Sequence, residues 1–151
     1  MLTEGDQAPQ FTIPTDTGEF SMAEANGPVV VFFFPKADTP GCTKESIAFS
    51  QLKSEFDALN TRVIGISKDK ASKQGKFREK HELTCALGAD DESDICEQFG
   101  VWGEKSMYGR TYMGVTRATF LINTDGTIAR AWPKVKVPGH AEDVLEAVKS
   151  L

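Results

Sequence analysis

The stretch Pro28-Val29-Val30-Val31-Phe32-Phe33-Phe34-Pro35 determines what kind of fold this chain of 151 residues can adopt. Its central residues are all β-branched or aromatic, they do not alternate with polar residues, and a proline bounds each end. Such a run is too short for an ordinary helix and is typical of a strand that is buried on both faces of a sheet. We therefore predict a central strand over these residues.

Two further runs of the same kind follow along the chain, at 62–67 and at 118–122. The second is followed by Asn123-Thr124-Asp125-Gly126, which is a turn signal, and residues 127–132 then resume a strand pattern. A turn of this composition between two strand patterns predicts an antiparallel hairpin.

Helical patterns alternate with these strands. One face of a helix is indicated by apolar residues at spacings of four, four and three: Ala48, Leu52, Phe56 and Leu59. A similar stripe occurs near the end of the chain: Val144, Leu145, Val148 and Leu151. The polar segment from Lys70 to Glu82 predicts an exposed helix. The sequence thus predicts one α/β domain over residues 1–151, with a mixed sheet and helices on both faces. Thioredoxin-like topology is one member of that set.

Composition excludes several classes of function. Seventeen basic and 22 acidic residues give a net charge of −5, which disfavours non-specific binding to nucleic acid. No apolar run approaches the roughly 20 residues that span a bilayer, and the N-terminus has no apolar signal region. Three cysteines without a signal indicate thiols in a reducing compartment. We expect a cytoplasmic protein.

The segment from Phe34 to Glu45, Phe-Pro-Lys-Ala-Asp-Thr-Pro-Gly-Cys-Thr-Lys-Glu, leads from the end of the buried strand into an amphipathic helix. Functional groups of open α/β sheets gather beyond the carboxyl ends of the strands. Pro40 and Gly41 predict a sharp turn, which leaves Cys42 in the first helical turn. The unpaired backbone N–H groups and the positive end of the helix dipole favour a thiolate at such a place.

A catalytic cysteine needs more than an ionised thiol. Full ionisation at pH 7 raises the thiolate fraction of a cysteine only about thirty-fold, and the site must also stabilise charge that develops on the leaving group. Thr39 can supply a hydroxyl, the amides of Gly41 and Cys42 can supply N–H groups, and a distant arginine would have to supply a cation. The alternative for an isolated cysteine is a buried, unreactive residue, and for Thr39 it is a helix or turn cap.

The pattern Pro35-x-x-x-Thr39-x-x-Cys42 resembles the active-site signature of the peroxiredoxins. The longer string from Phe34 to Glu45 resembles the bacterioferritin comigratory protein branch of that family, also called the Q type. The similarity continues in order along nearly the whole chain, at Gly5–Pro9, Tyr108-Gly109, Gly114–Phe120 and Lys134–Ala141.

This resemblance implies a thioredoxin-like fold, with a mixed central sheet flanked by helices and an N-terminal extension. It implies that Cys42 is the peroxidatic cysteine and that Pro35 shields the pocket from water. Thr39 would hydrogen-bond the peroxide, and Arg117 would stabilise the thiolate and the transition state. Glu45 would either orient Arg117 through a carboxylate–guanidinium pair or serve only as a favourable acid in the first turn of the helix.

The implied activity is the reduction of hydrogen peroxide and organic hydroperoxides, with an antioxidant role. Cys42 becomes a sulfenic acid, a thiol condenses with it to form a disulfide, and a reductant restores the thiol. No metal, flavin or haem cofactor is expected. The expected partners are the hydroperoxide and an external thiol, namely a thioredoxin, a glutaredoxin-like protein or a small thiol. The resemblance favours a monomer over a dimer.

The chain departs from the Q-type pattern at the resolving cysteine. Many members carry it five residues after the peroxidatic one, where this chain has Ile47, and others carry it near the position of Arg78. Cys85 and Cys96 remain, and for each the alternative is a small core residue. The simplest hypothesis is a one-cysteine mechanism in which an external thiol resolves the sulfenic acid.

Two other functions compete with a peroxidase. A thioredoxin-like disulfide oxidoreductase would need a second cysteine three residues after Cys42, where this chain has Glu45. A non-enzymatic thioredoxin-fold scaffold or holdase would not need the Thr-Pro-Gly-Cys corner.

The remaining candidates carry less weight. His81 and His140 are expected at the surface or at helix ends, and the chain has no C-x-x-C or H-x₃₋₅-H spacing for zinc. One apolar and aromatic set is expected in a loop, where it would cover the core or form a pocket wall or dimer contact: Trp102, Met107, Tyr108, Tyr112 and Met113.

Overall fold

The computed structural model describes all residues, 1–151, and a large sheet runs through it. The nine strands are β1 (Thr12–Thr15), β2 (Gly18–Ser21), β3 (Val29–Phe33), β4 (Arg62–Ser67), β5 (Ala86–Ala89), β6 (Trp102–Met107), β7 (Arg110–Val115), β8 (Ala118–Ile122) and β9 (Ile128–Trp132). The five α-helices are α1 (Pro40–Gln51), α2 (Lys53–Ala58), α3 (Ala71–His81), α4 (Ile95–Phe99) and α5 (His140–Lys149).

Seven strands form the main sheet in the order β2-β1-β5-β4-β3-β8-β9, and β6 pairs only with β7. The neighbours β3, β4 and β5 are parallel, whereas β8 and β9 continue the sheet in antiparallel pairing. The sheet is therefore mixed, with helices packed on both of its faces, as in thioredoxin-like proteins. This confirms the predicted fold class.

Strand β3 is buried over its whole length, as its composition predicts. Its side chains alternate between two apolar layers, because successive residues of a strand point to opposite faces. Val29, Val31 and Phe33 pack on the face that carries α4, here called the α4 face. Val30, Phe32 and Phe34 pack on the face that carries α1, α2, α3 and α5, here called the α1 face.

Two helical predictions need correction. The apolar stripe from Ala48 to Leu59 belongs to two helices, because the chain leaves helical geometry at Leu52. At this point the Ser50 carbonyl accepts a hydrogen bond from the Thr84 hydroxyl at 3.1 Å, a tertiary contact that sequence periodicity does not reveal. Helix α3 is not wholly exposed either, since Phe77 is buried against the sheet on the α1 face.

The segment expected to be a loop, Trp102 to Met113, is instead the antiparallel hairpin of β6 and β7. Trp102 packs against the core of the α4 face. The other apolar members of the set project into solvent and so do not cover the core: Met107, Tyr108, Tyr112 and Met113. The apolar residues occur as the adjacent pairs Met107-Tyr108 and Tyr112-Met113, so the apolar–polar alternation typical of a strand is absent from the sequence.

The residues before β1 fasten the N-terminal extension to the α4 side of the fold. Leu2 donates its N–H to the Phe99 carbonyl at 3.1 Å, and Ala8 donates to the Gly126 carbonyl at 2.9 Å. No helix of the protein combines the length and the apolar composition that crossing a membrane requires.

His140 begins α5, in agreement with the expected helix-end position, but it is buried and does not lie at the surface. Its Nε2 atom lies 2.8 Å from the Thr119 hydroxyl, and its ring packs edge-on against Phe49 and Trp132. Burial disfavours the imidazolium and lowers the pKa of His140 to about 4.

His140 should therefore make the fold sensitive to acid. The unfolded chain binds this proton at an ordinary histidine pKa, so stability falls as pH drops from about 6.5 towards 4. At pH 4.5 the loss should reach about 2–3 kcal/mol, and His140→Gln should abolish this part of the pH dependence. Urea midpoints at pH 7 and 4.5 measure it. If the free energy of unfolding changed equally with pH in wild type and His140→Gln, the assignment of this acid sensitivity to His140 would be wrong. The control is His81→Gln, which should keep the pH dependence of the wild type.

Candidate active site

The loop after β3 delivers Cys42 to the first turn of α1. Phe34 makes the last ladder contact, donating to the Ile66 carbonyl at 3.0 Å, and Pro35 has no N–H with which to continue. Thr39 occupies the N-cap position in an extended conformation, and Pro40 is the first helical residue, where its missing N–H costs nothing. The chain therefore turns sharply, and the Cys42 side chain is fully buried on the α1 face.

Arg117 reaches this sulfur from the start of a neighbouring strand. It immediately precedes β8, the antiparallel neighbour of β3, and its carbonyl accepts the Val135 N–H at 3.1 Å. One guanidinium nitrogen, Nη2, lies 3.4 Å from Cys42 Sγ, and the other, Nη1, lies 2.8 Å from Glu45 Oε1. The guanidinium thus bridges the thiol and the carboxylate.

Glu45 is buried one helical turn after Cys42, and its second oxygen, Oε2, has no hydrogen-bond partner. Burial raises the pKa of Glu45 to about 7, although the charge of Arg117 and its hydrogen bond pull in the opposite direction. Burial also opposes the positive charge of Arg117. Here, however, the charges and hydrogen bonds of Cys42 and Glu45 outweigh the effect of burial and raise the pKa of Arg117, which keeps the guanidinium charged.

Gly41 leaves room for the guanidinium. A Cβ atom at this position would lie only 3.0 Å from Arg117 Nη2, closer than almost all real contacts of a Cβ. A side chain here would push against the same nitrogen that contacts the Cys42 sulfur.

Thr39 and Pro35 lie in the loop that leads to Cys42, and neither forms a hydrogen bond with the Cys42 sulfur. The Thr39 hydroxyl donates to the Lys36 carbonyl at 2.8 Å, so it closes a turn and does not cap α1. Its oxygen lone pairs remain free to accept a hydrogen bond. Pro35 is half-buried at the end of β3.

Two aspartates that the sequence reading did not single out hold this loop. Asp69, after β4, accepts the Ala37 N–H at 2.8 Å. Asp38 adopts a left-handed conformation with φ 63°, which aspartate tolerates better than most residues. Its carboxylate accepts hydrogen bonds from His81 at 2.8 Å and Lys80 at 2.9 Å, and these lower the pKa of Asp38. Only the turn-forming character of Asp38 could have been recognised beforehand.

Cys85 lies on the same face as Cys42 but is firmly held there. Its sulfur accepts a hydrogen bond from the Ser50 hydroxyl at 3.4 Å and lies 3.9 Å from the Ser46 carbonyl, so it contacts α1 beyond the first turn. Burial raises the pKa of the Cys85 thiol, which disfavours the thiolate needed for attack.

Cys96 is separated from Cys42 by the sheet. It is buried in α4, on the α4 face, and its N–H donates to Asp90 at 2.8 Å. Burial, followed by the neighbouring Asp90 charge, raises the pKa of the Cys96 thiol. Cys42 and Cys96 could meet only if the core came apart.

A family model and individual relatives both match this chain over most of its length. Residues 4–131 match the model of the AhpC/TSA family. The chain is 43% identical over 143 residues to a putative peroxiredoxin Bcp of Coxiella burnetii, covering 93% of this chain and 95% of that protein. It is 41% identical over 150 residues to peroxiredoxin Bcp of Escherichia coli, covering 98% and 96%.

A solved structure resembles the fold closely. It is that of the Xanthomonas campestris bacterioferritin comigratory protein, described as a trapped intermediate and ligand complex bearing on alkyl peroxide reduction. The TM-score is 0.90 at 33% sequence identity, and the match covers 99% of this chain and 98% of the other.

Gly41→Ala should slow the reaction of Cys42 with hydrogen peroxide about tenfold, because displacing Arg117 Nη2 forfeits roughly 1.4 kcal/mol of a charge-assisted contact. The stability of the fold should not fall, since alanine is favourable within a helix. Stopped-flow peroxide reaction and urea unfolding measure the two effects. Gly75→Ala in α3, whose Cβ would meet Asp16 at an ordinary 3.6 Å, is the matched control. An unchanged rate in Gly41→Ala would contradict the role of this contact.

Proposed function

The chain belongs to the AhpC/TSA family and is a peroxiredoxin, and from this premise we propose that Cys42 is its peroxide-reducing residue. The observation that carries the proposal is the bridge of Arg117 between Cys42 Sγ, at 3.4 Å, and Glu45, at 2.8 Å. No other cysteine of the chain has a cation in contact with its sulfur.

As a peroxiredoxin the protein is a thiol peroxidase, an oxidoreductase. In the proposed first step the Cys42 thiolate attacks one oxygen of a hydroperoxide. The S–O bond forms as the O–O bond breaks, the sulfur loses two electrons, and the leaving oxygen departs as water or an alcohol after taking up a proton. The product is the sulfenic acid of Cys42.

Arg117, Thr39 and Pro35 serve this step in different ways. The Arg117 guanidinium stabilises the thiolate and the negative charge that develops on the oxygens. Because the Thr39 hydrogen is already donated to the Lys36 carbonyl, its oxygen accepts a hydrogen bond from the peroxide O–H. Pro35, which presents no N–H at the end of β3, keeps water from the sulfur. Glu45 fixes the rotamer of Arg117 and is a positioning residue.

The sulfenic acid must become accessible before any thiol can reach it, because the Cys42 side chain is fully buried. The first turn of α1 can open with little loss. It contains Pro40, which lacks an N–H, and Gly41, and no side chain caps it. We propose that this turn unwinds in the oxidised enzyme.

An external thiol then resolves the sulfenic acid. It condenses with Cys42 to a mixed disulfide and releases water, and a second thiol reduces that disulfide. Cys85 is pinned against α1 and Cys96 lies across the sheet, so neither suits the resolving role. The reductant is a thioredoxin, a glutaredoxin-like protein or a small thiol, and the enzyme acts as a monomer. All three cysteines are unpaired, in keeping with a cytoplasmic location.

Cysteine variants test the one-cysteine mechanism. Cys42→Ser should lose peroxidase turnover by at least about a thousandfold, because the nucleophile is removed. Cys85→Ala/Cys96→Ala should keep most of the turnover with dithiothreitol as reductant. Mass spectrometry of peroxide-treated wild type should find a trappable sulfenic acid at Cys42. Quantitative formation of a Cys42–Cys85 disulfide within the monomer would overturn the mechanism.

Substitution of Thr39 tests the peroxide contact. Thr39→Val keeps the shape but removes the accepting oxygen, so kcat/KM for hydrogen peroxide should fall by about tenfold or more. Thr39→Ser restores the hydroxyl and should stay within about threefold of wild type. Steady-state kinetics with excess dithiothreitol distinguish the two. Equal rates in the valine and serine variants would exclude a hydrogen bond from the peroxide to Thr39.

A further inference from the structure

A glutamine is buried in the otherwise polar helix α3. Only Gln74 and Phe77 of this helix are buried, and the side-chain oxygen of Gln74, Oε1, has no hydrogen-bond partner. Burying an amide with one unpaired atom costs stability, and a methionine of similar size would avoid that cost. The glutamine is therefore better explained by the contacts of its nitrogen than by packing.

The side-chain nitrogen of Gln74 binds two acceptors. Nε2 donates to the Gly88 carbonyl of β5 at 2.9 Å and to the Ser67 hydroxyl oxygen at 2.9 Å. A backbone carbonyl can only accept, so the contact with Gly88 fixes the orientation of the amide group. Because Ser67 accepts a hydrogen bond from Gln74, its own hydrogen is left for another partner.

That partner is Asp69, which holds the Cys42 loop. Ser67 is the last residue of β4 and is fully buried, and its hydroxyl donates to Asp69 Oδ2 at 2.7 Å. The same oxygen accepts the Ala37 N–H at 2.8 Å. The other oxygen, Oδ1, lies 3.3 Å from the exposed Lys73 ammonium, a contact that solvent weakens. The buried chain from Gln74 therefore decides where Oδ2 lies, since linked hydrogen bonds strengthen one another.

The chain ends on the peptide unit that fixes Thr39. The Ala37 N–H and the Lys36 carbonyl belong to this one planar unit. Asp69 binds its N–H, and the Thr39 hydroxyl donates to its carbonyl at 2.8 Å. A rotation of the plane would move both contacts together. The direction of the free lone pairs of Thr39 thus depends on the anchor at Asp69.

The conformation of the next residue makes such an anchor necessary. Asp38 has a φ of 63°, in the left-handed region that costs energy for residues other than glycine. Its contacts with His81 and Lys80 are exposed and screened by water. The chain through Ser67 is shielded from solvent and is the firmer of the two restraints on this turn.

We propose that Gln74 and Ser67 are positioning residues for the reaction with peroxide, acting through Asp69 on the peptide unit that orients Thr39. Neither residue touches the peroxide or the Cys42 sulfur. The inference rests on the proposed function, in which the Thr39 oxygen accepts a hydrogen bond from the peroxide O–H. Without the chain this peptide unit gains freedom to rotate, and the Thr39 oxygen is aligned in only a fraction of the molecules.

The experiment interrupts the chain at two points of the full-length protein. Ser67→Ala removes the central hydroxyl, and Gln74→Met removes the nitrogen but keeps the length of the side chain. Gln74→Met also provides the test should Ser67→Ala fail to fold. Ser93→Ala is the matched control, because the Ser93 hydroxyl likewise donates to an aspartate after a strand, Asp90, and does not contact the Cys42 loop. Urea unfolding verifies that each variant is folded.

Stopped-flow measurements then follow the oxidation of Cys42 by hydrogen peroxide in a single turnover. The rate constant should fall about fivefold or more in Ser67→Ala and Gln74→Met, and by less than about twofold in Ser93→Ala. The reaction of Cys42 with methyl methanethiosulfonate should not slow in any of them. That reagent attacks the same thiolate but carries no hydrogen-bond donor for Thr39.

A double-mutant cycle with Thr39→Val separates positioning from a general effect on structure. In Thr39→Val the accepting oxygen is already absent, so adding Ser67→Ala should change the remaining rate by less than about twofold. Three results would overturn the inference: unchanged oxidation in Ser67→Ala and Gln74→Met, an equal slowing with methyl methanethiosulfonate, or the same loss from Ser67→Ala with and without Thr39.

Failure of the proposed function gives a different result. If Thr39→Val reacted with peroxide as fast as the wild type, the proposed contact of the peroxide with Thr39 would be wrong, and this inference with it. A slow Thr39→Val beside a fully active Ser67→Ala and Gln74→Met would overturn the inference alone.

Discussion

The contact of Arg117 with the Cys42 sulfur constrains the whole arrangement of this protein. A guanidinium can lie 3.4 Å from a buried thiol only if both backbones are fixed, and here β3 and β8 fix them. The two strands are direct neighbours in the sheet, one leading into Cys42 and the other starting just after Arg117. The buried carboxylate of Glu45 then compensates the cation, which would otherwise be costly to hold in a half-buried position.

The sheet also decides which thiols can take part in chemistry. It divides the core into two layers, with Cys42 and Cys85 in one and Cys96 in the other. Within its layer, Cys85 is held by two contacts to α1, whereas Cys42 occupies a turn that no side chain caps. The protein thus combines one sulfur beside a cation with two whose pKa burial raises, and this division supports the external reductant proposed above.

The elements that the sequence predicts correctly depend on residues close together in the chain, and most of those that it misses depend on contacts between distant residues. Strand β3, its neighbour β4 and the β8–β9 hairpin were predictable because continuous apolar runs and a turn signal are local features. The break at Leu52 was not, since it accompanies a contact between Ser50 and Thr84, 34 residues apart. The β6–β7 hairpin was not predictable because its exposed apolar residues occur as the adjacent pairs Met107-Tyr108 and Tyr112-Met113 and show no strand-like alternation. The burial of His140 depends on Thr119, Phe49 and Trp132, which come from three other elements.

The sequence by itself determined the fold class, the family resemblance and the position of Cys42 at a strand-to-helix corner, because each depends on residues close together in the chain. It also singled out Arg117, but only through resemblance. The tertiary structure alone decided that this guanidinium bridges Cys42 and Glu45, that Cys96 lies across the sheet and that Asp38 and Asp69 hold the loop. These contacts join residues 32 to 75 positions apart that are brought together by strand order, which no local pattern encodes.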